Sequence, residues 1–243
     1  MAKRMEKSKP TLVVTGGTKG IGKAVLEKFA QNGFQIFTCS RKSENVQALV
    51  SEISQKFPNI PLHAIPADLS NQAEVKKFAE FVKSKTAQID VLVNNTGFFL
   101  PGQIHNETEG TLEAMIETNL YSAYHLTRAL LPMMMSRQQG HIFTICSTAS
   151  ITAYTNGGSY CISKFALYGM TKVLRAELKT HNIRVTAILP GATLTDSWAG
   201  VDLPPERFMK PQDVADALWT CFQLSPQSVV EEILIRPQLG DIG

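Results

Sequence analysis

The 243-residue sequence is short of several things, and each absence removes a class of protein. No run approaches the ~18 consecutive apolar residues of a membrane helix, and the N-terminal segment lacks the apolar stretch of a secretory signal; we expect a cytoplasmic protein with no membrane association. Cysteine is scarce. Cys39, Cys146, Cys161 and Cys221 form no C-x-x-C pair and have no histidine at ligand spacing, so reduced core thiols are expected and no metal site. Long runs of like charge are missing. The net charge of +3 lies largely in Lys3, Arg4, Lys7 and Lys9, read as a flexible basic tail over residues 1–10 and not as a nucleic-acid face. Repeats, low-complexity segments and linkers are also missing, so residues 11–243 are expected to form one domain. With 44% hydrophobic residues a chain of this length has a sizeable core, burying roughly 70–75% of its unfolded surface.

What is present is alternation. Apolar, strand-like runs occur at 11–15, 35–39, 62–67, 90–94, 141–147, 183–189 and 229–235, and helical patterns at 21–30, 45–57, 72–86, 112–136, 159–179 and 213–224. Strands alternating with helices imply a parallel sheet covered on both faces, an α/β doubly wound fold of about seven strands in three layers. In such sheets ligands gather at the carboxyl ends of the strands. His141 opens its strand at the other end and reads as structural; His105 and His125 belong to no constellation.

The first strand breaks into Gly16-Gly17-Thr18-Lys19-Gly20-Ile21-Gly22 and then a helix. Unpaired N–H groups at a helix start attract a phosphate, and glycine lets the anion reach the backbone. The spacing is T-G-x-x-x-G-x-G, not G-x-G-x-x-G, and alone it reads equally well as a tight connection. After the second strand comes Ser40-Arg41-Lys42, with no acid where an NAD-binding fold usually places one. Arg41 and Lys19 would converge on an adenosine 2′-phosphate, favouring NADP(H), although both also read as ordinary surface cations. Asp68 with Leu69, and Asn95 with Gly97, follow the third and fourth strands, as cleft residues or as caps and turn formers.

Tyr160 and Lys164 are four apart, on one face of a helix, and Ser147 lies thirteen residues before Tyr160 at a strand end. A phenol with a pKa of about 10 is a poor acid–base catalyst at neutral pH unless a nearby ammonium favours its ionised form. A Tyr-x-x-x-Lys pair alone arises often by chance; beside a glycine turn it means more.

Together, Thr15-Gly16 to Gly22, Asp68, Asn94-Asn95-Thr96-Gly97, Asn119, Ser147, Tyr160 to Lys164 and Pro190-Gly191 to Thr195 resemble the short-chain dehydrogenase/reductase family over nearly the whole chain. The resemblance implies a Rossmann-type NADP-binding oxidoreductase that interconverts a carbonyl and a secondary alcohol. In it Tyr160 would be the general acid or base, Ser147 would bind the substrate oxygen, and Lys164 would hold the nicotinamide ribose and lower the tyrosine pKa. Asn119 would hold a proton-relay water and Thr195 the carboxamide, while Gly16, Thr18, Lys19, Gly20, Ile21, Gly22, Ser40, Arg41, Asp68, Leu69, Asn95, Gly97, Pro190, Gly191 and Thr193 would line the cofactor site. Thr96 replaces the usual alanine, the 196–210 segment is short for a lid, and the ending lacks Asp-Gly-Gly. A general carbonyl reductase therefore ranks above a 3-oxoacyl-[acyl-carrier-protein] reductase, with a non-catalytic NADP sensor as the alternative outside enzymes. Phe98, Phe99, Tyr154 and Trp198 suggest an apolar substrate wall, or loop packing. The 112–136 and 159–179 helices carry apolar residues beyond one stripe, Met115, Leu120, Tyr124, Leu130 and Met134 on the first and Phe165, Leu167, Tyr168, Met170 and Leu174 on the second. A homodimer or homotetramer is expected.

Overall fold

The structure, a computed structural model, describes residues 9–198 and 200–242. Lys3, Arg4 and Lys7 of the expected tail lie outside the described residues. The strands β1 (Thr11–Thr15), β2 (Gln35–Ser40), β3 (Leu62–Pro66), β4 (Val91–Asn94), β5 (Gly140–Ile145), β6 (Ile183–Pro190) and β7 (Glu232–Ile235) form one sheet in the order β3-β2-β1-β4-β5-β6-β7. Every neighbouring pair is parallel. The helices are α1 (Gly20–Gln31), α2 (Ser43–Lys56), α3 (Gln72–Lys85), α4 (Thr111–Ile116), α5 (Ser122–Arg137), α6 (Gly158–Leu178) and α7 (Pro211–Gln223). None among the described residues is long and apolar enough to cross a membrane.

Strand side chains alternate between faces, and that alternation builds two cores. Leu12 and Val14 of β1 and Val91 and Val93 of β4 pack with Phe29 of α1, Leu49 of α2 and Leu218 of α7. Val13 and Leu92, one residue out of phase, pack with Phe78 of α3 and Leu130 of α5. The result is the expected three-layer, doubly wound Rossmann-type sheet. Its order reverses between β1 and β4, which opens a crevice at their carboxyl ends, where the glycine turn follows β1.

Two elements differ from expectation. The 112–136 helix is interrupted by a π turn at Glu117–Tyr121, where the Ser122 N–H bonds the Glu117 carbonyl five residues back. The wide turn carries Asn119 wholly inside, while Met115, Leu126 and Leu130 remain buried on either side, so hydrophobic periodicity does not reveal it. The last strand is shorter than 229–235. Val230 and Glu231 instead offer their carbonyls to the Thr186 hydroxyl (2.6 Å) and the Ala187 N–H (2.9 Å), before the ladder proper begins.

Candidate active site

The turn after β1 needs glycine for space and for backbone conformation. Gly16 and Gly20 adopt φ of +66° and +55°, and a Cβ at Gly22 would lie 2.4 Å from the Gly16 carbonyl oxygen. Lys19, at the start of α1, gives the helix no side-chain cap, and the first turn holds no acid. Its N–H groups are therefore open to an anion, which fits the pyrophosphate of a dinucleotide. Ile21 packs back onto the core. Thr15 Oγ1 accepts the N–H groups of Asn95 and Thr96, both at 2.9 Å, and Asn95 Nδ2 donates to the Thr15 carbonyl at 2.8 Å. Asn95 thus fixes the turn from β4, and its amide is committed to backbone.

At the adenosine end Thr18 donates to Ser40 Oγ at 3.1 Å, tying the glycine turn to the end of β2. Arg41 and Asp68 line an open cavity of about 530 Å³ with Ala67 and Lys77. Asp68 Oδ1 accepts the Ser70 N–H (3.1 Å) and hydroxyl (2.9 Å), and Leu69 is buried beneath. The Lys19 ammonium pairs with Asp196 of the chain after β6, which folds back over the glycine turn.

The candidate catalytic residues come together where β5 and α6 meet. Ser147 follows β5 and caps the turn Thr148–Ser150, its hydroxyl accepting the Ala149 N–H at 3.1 Å. Tyr160 and Lys164 sit one turn apart on α6, and the Tyr160 phenol lies near enough to the Ser147 hydroxyl to feel it electrostatically. Lys164 is buried and donates to the Ile145 carbonyl at 3.0 Å. A Cβ at Gly97 would lie 3.1 Å from Asn119 Oδ1 and 3.5 Å from Lys164 Nζ, so the bare Gly97 lets these groups approach. Asn119 Oδ1 accepts the Phe98 N–H at 2.8 Å, and Nδ2 donates to the Phe98 carbonyl and to Ser163 Oγ, both at 3.0 Å. Both amide N–H groups are spent on protein, and the expected holding of a water by Asn119 is not carried by them.

Electrostatics of the chain's own groups act on both Tyr160 and Lys164. Burial pushes the Tyr160 phenol above its ordinary value, and the nearby Ser147 hydroxyl pulls it part of the way back. Burial pulls Lys164 down to about 8, opposed by the neighbouring Cys146 thiol. The Lys164 ammonium stands 5.8 Å from the Tyr160 ring centroid, yet it is itself costly to keep charged in this dry position. The chain's own groups hold the phenol protonated at neutral pH.

The roof comes from the chain after β6. Pro190 ends the strand, the Gly191 N–H donates to the Ile235 carbonyl at 2.8 Å, and buried Thr193 donates to the Gly191 carbonyl at 3.0 Å. Thr195 lies against the glycine turn, its Cγ2 3.0 Å from where a Cβ on Gly20 would be. The wall is not uniformly apolar. Phe99 packs edge-on against Tyr160, centroids 4.9 Å apart, and Trp198 packs on Phe208, but the Tyr154 hydroxyl is bonded to Asp241 Oδ2 (2.8 Å) and Thr148 (3.0 Å). Asp241 Oδ1 has no hydrogen-bond partner among the described residues but forms an ion pair with Arg236 Nε at 3.6 Å. Arg207 holds this C-terminal segment in place, donating to the Gly240 and Asp241 carbonyls at 3.0 and 2.9 Å. Asp196, Arg207 and Asp241 escape sequence reasoning, since nothing in their spacing links them to the glycine turn or to Tyr160.

Residues 10–204 match the family described as short chain dehydrogenase. The chain is 33% identical over 244 residues to a sepiapterin reductase from Chlorobaculum tepidum, covering 96% of this chain and 98% of that protein. It is 31% identical to a 3alpha-hydroxysteroid dehydrogenase from Mediterraneibacter gnavus, over 84% of this chain and 86% of that one. Among solved structures it is similar to a metagenomic short-chain oxidoreductase in complex with NADP (TM-score 0.82, 30% identity, 94% and 97% of the two chains). The L-sorbose reductase of Gluconobacter frateurii, complexed with NADPH and L-sorbose, matches with a TM-score of 0.87 at 26% identity over 97% and 98%.

Proposed function

The chain belongs to the short-chain dehydrogenase family of oxidoreductases, and from that premise we propose that it is a cytoplasmic, NADP(H)-dependent enzyme interconverting a carbonyl and a secondary alcohol. The observation that carries the reading is the convergence of Ser147 and Tyr160 beside the buried Lys164, whose ammonium stands 5.8 Å from the Tyr160 ring centroid. The nicotinamide supplies or accepts the hydride. The Tyr160 phenol, kept protonated by burial, gives its proton to the substrate oxygen in reduction, and Ser147 steadies that oxygen. Lys164, anchored on Ile145, binds the nicotinamide ribose hydroxyls. Gly16 to Gly22 hold the pyrophosphate, Arg41 the 2′-phosphate and Thr195 the carboxamide, with Asp68, Leu69, Gly97, Pro190, Gly191 and Thr193 shaping the rest of the cleft. The protein's share of the chemistry is orientation and a placed proton. Four free, buried cysteines accord with a reducing compartment.

The polar patch of Tyr154, Asp241 and its ion-pair partner Arg236 favours a carbonyl compound that itself carries polar N–H or O–H groups over a purely apolar one. Sepiapterin and L-sorbose, named for relatives, bear such groups; a steroid ketone bears few. The test is NADPH consumption, followed by nicotinamide absorbance, with these carbonyls and simpler ones. Sustained turnover supports an enzyme, and binding of NADPH with no turnover on any of them would favour a sensor.

We also propose a homodimer or homotetramer. Met115, Leu130, Met134 and Leu167 are buried within the chain itself. Exposed apolar side chains on these helices include Tyr121 and Tyr124 around the start of α5, and Ile162, Phe165 and Val173 on α6. Together they make the surface a second copy would cover.

A further inference from the structure

Helix α6 carries Tyr160 and Lys164, and its N-terminus has no cap of its own. Gly157 precedes it without a side chain, and its first turn contains no acid. First-turn N–H groups have no acceptor inside the helix, so such an end frays unless another part of the chain supplies one. Here it comes from Glu107, fifty-two residues earlier, in the loop between β4 and α4. One carboxylate oxygen accepts the Ser159 N–H at 2.9 Å and the other accepts the Ser159 hydroxyl.

The carboxylate sits in a built slot. A Cβ on Gly158 would lie 2.2 Å from Glu107 Oε1, and a Cβ on Gly102 would lie 2.6 Å from Glu107 Cγ. The same loop is fastened twice more to the approach to α6, by the Gly102 N–H on the Asn156 carbonyl and by Gln103 Nε2 on Asn156 Oδ1, both at 3.0 Å. It also bears Phe99, whose ring lies against Tyr160. Ser159 is the residue immediately before Tyr160, so whatever fixes its N–H fixes the turn from which the phenol projects.

We propose that Glu107 is a positioning residue for Tyr160: by capping α6 from the β4–α4 loop it sets the phenol against Ser147 and holds the Phe99 side of the pocket to the same helix. The inference rests on Tyr160 being the proton donor. Fraying of the first turn displaces the phenol while leaving the glycine turn and Arg41 untouched. A displacement of about 1 Å at a reacting group costs on the order of a hundredfold in rate.

The experiment measures carbonyl reduction and NADPH affinity for Glu107→Ala, Glu107→Asp, Glu107→Gln and Tyr160→Phe. We expect Glu107→Ala and Glu107→Asp to lower kcat by about tenfold or more, with the NADPH dissociation constant changed by less than about twofold. Glu107→Gln, which keeps an acceptor of the same reach, should recover kcat to within about threefold of wild type. The inference is overturned if kcat of the Ala and Asp variants stays within twofold of wild type, if NADPH affinity falls as far as kcat, or if Gln recovers nothing. Should the Ala variant fail to fold, the Asp variant decides by the same criteria. Tyr160→Phe separates the two claims: activity retained there removes the reading of Tyr160, whereas an inactive Tyr160→Phe beside normal Glu107 variants removes only this inference.

Discussion

The Lys19 ammonium pairs with the Asp196 carboxylate, bringing the glycine turn after β1 into contact with the chain after β6. Both side chains are well exposed, so the pair adds little stability. It does commit Lys19 to the roof of the cleft.

On the proposed reading, cofactor discrimination rests chiefly on Arg41. A charge-assisted hydrogen bond to a 2′-phosphate is worth about 1.5–3 kcal/mol, less what solvent removes. Arg41→Ala should therefore weaken NADPH by about ten- to a hundredfold and leave NADH almost unchanged. Asp196→Asn, by releasing Lys19, should tighten NADPH and not NADH. Calorimetric titration of both cofactors into the three proteins checks this; equal losses for NADPH and NADH in Arg41→Ala would show that Arg41 does not touch the phosphate.

Lys164 gives a pH signature. Burial brings its pKa down to about 8, whereas burial raises that of Tyr160. At neutral pH both are protonated, as carbonyl reduction and ribose binding require. As pH rises through about 8 the ammonium is lost first. The kcat/KM for NADPH, which reports the free enzyme, should fall above that value. A flat profile through pH 9 would mean that the charge on Lys164 does not serve cofactor binding.

His141 gives a stability signature. It is fully buried, donates through Nε2 to Thr186 at 2.8 Å, since Thr186 itself donates to Val230, and stacks on Phe143. Desolvation, helped by the nearby Arg184 charge, lowers its pKa to about 2. The unfolded histidine titrates at about 6.5. Between these values the unfolded chain binds a proton that the native chain refuses, so stability is present above about pH 6.5 and declines by up to about 1.4 kcal/mol per unit as pH falls. Urea unfolding at several pH values should show a shallower decline in His141→Gln than in wild type; identical slopes would contradict this.

The exposed apolar surface around Phe165 and Tyr124 should be covered by a second copy. Light scattering is expected to give at least a dimer mass for the wild type and a lower mass for Phe165→Glu. A monomeric wild type would reject the proposed assembly.

The sheet was legible because buried parallel strands are continuous apolar runs, and the glycine turn because Gly16, Gly20 and Gly22 answer steric demands that no other residue meets. Ser147, Tyr160 and Lys164 were legible as a spacing. The π turn at Asn119 was not, since one wide turn leaves the apolar stripe buried on both sides. The Lys19–Asp196 pair was not legible, because Asp196 is brought near only by the fold. Tyr154 was placed with the apolar wall, yet its hydroxyl is held by Asp241 from the far end of the chain. The Tyr-x-x-x-Lys pattern gives proximity to a cation but not the burial that raises the Tyr160 pKa.

The measurement that bears most directly on the proposed chemistry is NADPH consumption by Tyr160→Phe with a carbonyl that the wild type reduces, alongside NADPH titration of the same variant. Removing the phenolic hydroxyl deletes the proton donor and nothing that holds the cofactor. We expect turnover to fall by about a hundredfold or more, the typical contribution of a placed acid, while NADPH affinity stays within about twofold of wild type. Turnover above a few per cent of wild type, roughly what solvent protonation alone would not sustain, would contradict Tyr160 as the acid.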